Sequence, residues 1–297
     1  MRIDWISILL LISYGKAVHT SAMTVGIFGL GRFGSFWGNL LARNFEVVGY
    51  DIDAERIFPE SVRRVDLQGL CACRTIFLCV TIRALPDALR SIAPLLEDGT
   101  LVADTCSVKV LPARWMREIL PSGTLILATH PMFGPESAKA GLDGLALMMD
   151  PLRMEAEDFS FWEDEFRSWG LSTVRMDCDR HDREAAYSQA LTHFVGRSLH
   201  RMGLPETEIA TRWYRSLHAI ARQCVRDAPE LFEDMQRFNP YAAGMRGALL
   251  AAFGSTLAEL GEDISALVGP TDARVGERSA LDEGARSPVH SEEGAGR

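Results

Sequence analysis

From Thr24 onward the chain alternates short apolar runs with longer stretches in which apolar residues recur every three or four positions. The short runs are TVGIFG, EVVGYD, TIFLCV, TLVADT and TLILAT, followed by the weaker LALMMD and STVRMD. Their length and their β-branched and aromatic content predict strands. Residues 33–44, 85–96 and 159–169 carry the helical period between them. Strands alternating with helices predict an α/β fold with a doubly wound parallel sheet covered on both faces. After Asp179 the strand pattern stops, and 181–202, 206–227, 229–238 and 240–261 read as successive helices. An all-helical domain is therefore expected behind the sheet.

Composition narrows the partners. The 297 residues are 47% apolar and 24% charged, as in an ordinary globular protein. A net charge of −9 argues against nucleic acid or an acidic membrane surface as the main partner. The six cysteines show neither a CxxC pair nor ligand-like spacing with histidine, so reduced thiols are expected, with no disulfide framework and no metal site. Residues 5–12 form an apolar run that resembles part of a signal peptide but is too short to span a bilayer. The reading adopted is an N-terminal extension over 1–22 ahead of an alternative start at Met23, in a cytoplasmic protein.

The first strand runs into Gly29-Leu30-Gly31-Arg32-Phe33-Gly34, a GxGxxG turn opening a helix. Such a turn lets a pyrophosphate approach the backbone and rest on the free N–H groups of the helix. The second strand ends in Asp51, 22 residues after Gly29, where a carboxylate can accept hydrogen bonds from an adenosine ribose and repel a 2′-phosphate. The cofactor expected is thus NAD, in a Rossmann-type domain over 23–179. A helix N-cap is the alternative role for Asp51. The helical substrate and dimerisation domain is placed at 180–265 and a disordered tail at 266–297. The run MRGALLAAFGSTLAEL (245–260) carries more apolar surface than a few helices cover, which predicts a homodimer.

Two polar residues fall at strand ends, on the edge where open parallel sheets bind ligands: Ser107 after TLVADT and His130 after TLILAT. Pro131 stops the latter strand and holds His130 at its end. Either residue alone reads as structural; together beside a nucleotide they form a candidate acid–base pair. DTCSVK (104–109), THPMFGPES (129–137) and HDREAAYSQALTHFVGR (181–197) resemble the prephenate and arogenate dehydrogenases, nearest in look to the plant-type enzymes. The resemblance covers roughly residues 24–262. It implies oxidative decarboxylation of prephenate or arogenate in tyrosine biosynthesis, with His130 as catalytic base and Ser107 orienting it or the substrate hydroxyl. It also implies His193 in the substrate site and Arg222 on a substrate carboxylate. A solvated helix face is the alternative for Gln189, His193 and Arg197, while His181-Asp182 at the head of its helix reads as a capping pair rather than a catalytic dyad. Asp179 and Asp182 are the carboxylates considered for the ammonium of arogenate. A β-hydroxyacid dehydrogenase, which needs a lysine in the helical domain, is disfavoured because no lysine follows Lys139. A silent NAD-binding sensor would not need Ser107, His130 and Arg222 together.

Overall fold

The structure, a computed structural model, describes residues 23–267. The expected extension over 1–22 and residues 268–297 of the expected tail lie outside the described residues.

Eight strands form one sheet: β1 (Thr24–Phe28), β2 (Glu46–Tyr50), β3 (Val62–Arg64), β4 (Thr75–Leu78), β5 (Leu101–Asp104), β6 (Leu125–Pro131), β7 (Ala146–Arg153) and β8 (Ser172–Arg175). Their order is β3-β2-β1-β4-β5-β6-β7-β8. The chain builds outward from β1 in one direction and then resumes on its other side with β4. That reversal creates the switch-point crevice in which such sheets bind ligands.

Side chains alternate across the strands, so each face buries its own cluster. On one face Ile76, Leu78 and Val102 pack with Leu85, Leu89 and Met116, which belong to α3 (Leu85–Ile92) and α4 (Val110–Ile119); α2 (Leu67–Cys71) covers the same side. On the other, Ile27, Phe77 and Leu127 pack with Trp37 of α1 (Arg32–Leu41) and with Trp162 and Phe166 of α5 (Ala156–Ser168). Burial on both faces explains why these strands read as continuous apolar runs.

The sheet departs from the expected all-parallel arrangement: β7 runs antiparallel to β6, and β8 runs parallel to β7. A parallel return needs a crossover, usually helical, across the sheet. Between Pro131 and Ala146 there is only a short 3₁₀ turn, Ser137–Ala140, so the chain folds straight back.

The remaining helices are α6 (Cys178–Ala185), α7 (Leu191–Met202), α8 (Arg212–Arg226), α9 (Pro229–Phe238), α10 (Ala242–Glu259) and α11 (Ile264–Leu267). The last of these places helix where residues 266 and 267 were expected to begin a disordered tail. A wide π turn, Ala186–Ala190, joins α6 to α7. The chain divides into two compact units, one through Arg246 and the other from Gly247. In the first, the helices pack back on the sheet: Arg83 pairs with Asp234 of α9, and the Asp182 carboxylate receives the backbone N–H groups of Lys109 and Val110. In the second, Leu250, Phe253 and Leu260 are exposed. No helix among the described residues is long and apolar enough to cross a membrane.

Candidate active site

The glycine loop has the shape the sequence requires. Gly29 adopts φ +94°, a conformation that side chains other than glycine rarely take. A Cβ on Gly34 would lie 1.8 Å from the Gly29 carbonyl oxygen, so only glycine lets α1 start this close to β1. A Cβ on Gly31 would meet nothing within 4 Å, and no side chain caps the first turn of α1. The first turn is thus left without a side-chain cap beside the open cleft that Gly31 and Arg32 line, which fits a pyrophosphate.

Asp51 stands at the end of β2 with its carboxylate on this loop, accepting from Leu30 N at 2.7 Å and from Asp53 N at 2.9 Å. No helix follows it, so the alternative N-cap role is not the one it plays. Arg56 lies 3.6 Å from the same carboxylate. Leu30, Gly31, Arg32, Asp53 and Arg56 line an open cleft of about 420 Å³ beside it. Arg32 reaches from the loop to Glu136 at 3.9 Å and to the carbonyl of Arg226 at the end of α8.

The strand that carries His130 projects past its neighbour. β5 ends where Asp104 pairs with Ala128, whereas β6 continues to Pro131 on the β7 side alone. His130 therefore stands beyond the carboxyl end of β5, buried to 3% exposure. Beneath it Lys109 and Asp104, both fully buried, form an ion pair, and the Lys109 ammonium also donates to the carbonyl of Thr129. Thr129 Oγ1 donates to the Asp104 carbonyl. These bonds lock the ends of β5 and β6 together immediately before His130.

The imidazole is held by a residue assigned above to capping. His130 Nδ1 lies 2.9 Å from His181 Nε2, and His181 Nδ1 lies 2.9 Å from Asp182 Oδ1. Asp182 also accepts from Lys109 N at 2.7 Å and Val110 N at 2.9 Å. The cap of α6 is Asp177, whose side chain accepts from Arg180 N. His181 and Asp182 are thus not a capping pair for their own helix; Asp182 caps α4 instead. Burial first, then His181 and Lys109, hold the His130 pKa well below the usual histidine value, so the ring is a neutral base near neutral pH.

Ser107 does not orient His130 here: its Oγ is buried without a hydrogen-bond partner. His193 and Arg197 do not form a solvated face. His193 Nδ1 and Arg197 Nε are both buried and unpartnered, while His193 Nε2 lies 3.8 Å from Asp227 and the Arg197 guanidinium covers Phe232 at 4.5 Å. Burial also lowers the His193 pKa. The π turn bears on this placement. Twelve residues of regular helix would rotate His193 about 120° from His181, and the extra residue of a π turn reduces that to roughly 20°.

Arg222 is not brought to His130. It is exposed, lies 3.8 Å from Glu206, and lines a separate open cleft of about 420 Å³ with Tyr214, Arg215 and His218. Asp179 and Asp182 are likewise unavailable to an ammonium group, since Asp179 holds Arg183 and Tyr241 and Asp182 is committed as above.

Comparison with known proteins converges on one family. The nucleotide-binding domain of prephenate dehydrogenase is matched over residues 41–146, and a TYRAAT1-like C-terminal domain over 198–268. Arogenate dehydrogenase 1, chloroplastic, of Arabidopsis thaliana is 32% identical over 258 residues, covering 83% of this chain and 40% of that protein. Arogenate dehydrogenase 2, chloroplastic, of the same plant is 31% identical over 257 residues, covering 81% of this chain and 71% of that one. The present chain thus spans less than half the length of the first relative and over two thirds of the second. Prephenate dehydrogenase from A. aeolicus, solved with hydroxyphenyl propionate and NAD+, shares the fold with a TM-score of 0.64 at 19% identity over 81% of this chain and 91% of that one. With the glycine loop, the projecting His130 and the second of these plant relatives in hand, the chain belongs to the prephenate/arogenate dehydrogenase family.

Proposed function

We propose that the protein oxidises and decarboxylates arogenate, prephenate or both, with NAD as hydride acceptor, and that it works in the cytoplasm as a homodimer. The observation that carries the reading is His130: a buried, neutral imidazole on a strand end, on the same sheet edge as a glycine loop open to a dinucleotide.

Gly29, Gly31 and Gly34 would receive the pyrophosphate, with the backbone of Leu30, Arg32 and Phe33, and Asp51 the adenosine ribose. When bound, the dinucleotide supplies the acceptor for the hydride that leaves the ring carbon bearing the hydroxyl. His130 takes the hydroxyl proton, which lets electrons collapse toward the carbonyl as the ring carboxylate departs as carbon dioxide and the ring becomes aromatic. Burial keeps the resting imidazole neutral near neutral pH, so its lone pair is free to take the proton. Ser107 Oγ, buried and uncommitted, is available to the substrate hydroxyl.

Arg197 Nε offers a buried, unpartnered donor to substrate oxygens, and His193 Nδ1 is likewise buried and unpartnered. Arg222 serves a carboxylate only if its side chain leaves Glu206. Asp227, beside His193, is the carboxylate suited to the ammonium of arogenate. The exposed Leu250 and Phe253 support assembly through the helical region.

Steady-state kinetics with arogenate and prephenate, each with NAD+ and NADP+, test the proposal. Saturable reduction of NAD+ with at least one substrate is expected. Tight NAD+ binding without turnover of either would favour a sensor.

A further inference from the structure

The chain of three side chains behind His130 does more than hold a ring in place. Asp182 is fully buried, and its two oxygens already receive two backbone N–H groups, Lys109 N on Oδ1 and Val110 N on Oδ2. A carboxylate that already receives two N–H donors acts as an acceptor toward its third neighbour as well. The ring nitrogen 2.9 Å from it, His181 Nδ1, must therefore carry hydrogen. If His181 holds only that one N–H, its Nε2 is a bare lone pair. That lone pair faces His130 Nδ1 at 2.9 Å, and the contact is a hydrogen bond only if His130 Nδ1 donates.

We propose that His181 and Asp182 are positioning residues that fix the proton of His130 on Nδ1 and leave Nε2 bare as the base. Without them a free imidazole favours neither orientation strongly, and its Nε2–H form would present a donor, not an acceptor, to a substrate hydroxyl. Once His130 has accepted a proton at Nε2, both of its nitrogens carry hydrogen, and the line Nδ1–H to His181 to Asp182 ends on a negative charge. The line is rigid. Asp182 caps α4, and its carbonyl accepts from Asn239 Nδ2 at 2.8 Å, so α6 is tied at two points and His181 is only 4% exposed. The inference rests on His130 being the base.

Nitrogen-15 NMR of the histidine rings in the substrate-free protein reads the tautomers directly, with His130→Asn assigning the His130 signals. The expected pattern is a protonated Nδ1 and a bare Nε2 on both His130 and His181. Two substitutions then separate positioning from packing. His181→Gln places an amide oxygen where Nε2 was, so it should keep the tautomer and hold kcat within about tenfold of native. His181→Leu removes the acceptor and should lower kcat by about 10²-fold or more, with KM for substrate and NAD+ little changed. The proposal is overturned if native His130 carries its proton on Nε2, or if both variants lose kcat equally at equal melting temperature. If the tautomer is as stated but His130→Asn turns over normally, the base assignment itself fails and takes this inference with it. The native spectrum and His181→Gln decide the matter even where His181→Leu does not fold.

Discussion

Burial removes the water that would stabilise a charged imidazole, and two neighbours, His181 and the cationic Lys109, act in the same direction on His130. Its folded pKa therefore lies below 6.5. Two consequences follow from the sign of that shift. Activity should already have reached its plateau near neutrality, with the acid limb of kcat below pH 6.5 and absent from any residual turnover of His130→Asn. Stability should change in the same window: below about 6.5 the unfolded histidine takes up a proton that the folded one refuses. The free energy of unfolding then falls as pH drops, at up to about 1.4 kcal/mol per pH unit, until the folded pKa is reached. Chemical denaturation of native protein and His130→Asn between pH 7 and 5 checks this, and a shallower slope is expected in the variant. His130 and the glycine loop were legible in the sequence because their chemistry is local: a proline stops the strand, and GxGxxG sits at a strand-to-helix turn. His181 was misread because its partner is 51 residues away and only the folded sheet brings them together. Arg222 and Arg197 are alike in sequence, both arginines on apolar-striped helices. Only packing distinguishes the buried, unpartnered Nε of Arg197 from the exposed side chain of Arg222. Arg197→Ala should raise substrate KM by more than it lowers kcat, while Arg222→Ala measured alongside shows whether both arginines reach the substrate.

The ends of β5 and β6 are held by the buried Lys109–Asp104 pair, which the pattern of strands gave no reason to expect. A lone lysine in DTCSVK reads as a surface charge unless its topology is known. Removing one partner of such a pair leaves an uncompensated buried charge, which typically costs 3–5 kcal/mol. Lys109→Met should lower unfolding stability by about that amount, read as a shift in the urea midpoint at unchanged slope; a shift too small to resolve would mean that water or another cation reaches Asp104. Element existence was predicted well by periodicity, since β1, β2 and β4 to β6 coincide with the apolar runs. The direction of β7 was not, because strand polarity depends on the connection, and the 132–145 segment gives no helical crossover. Likewise Asp182 carries a capping role visible as a residue type, but the helix it caps, α4, begins 72 residues earlier in the chain.

At the scale of the whole molecule, assembly and cofactor choice are the readings that the helices and the sheet edge respectively carry. Leu250 and Phe253, about half exposed on an apolar helix, predict a dimer at micromolar concentration by light scattering, and a monomer would remove that reading. Asp51 predicts a higher kcat/KM with NAD+ than with NADP+. Arg56, 3.6 Å from it, is the group that would narrow the gap if Asp51→Ser frees it to meet a 2′-phosphate. Beneath both lies the claim that His130 draws a proton while hydride and carbon dioxide leave one substrate molecule. The direct test follows reduced cofactor and released carbon dioxide together, in native protein and in His130→Asn of matched melting temperature. The account predicts equal amounts of both from the native protein with arogenate or prephenate, and a loss of about 10²–10⁴-fold in both for the variant. Reduced cofactor without carbon dioxide, or undiminished turnover by a folded His130→Asn, would contradict it.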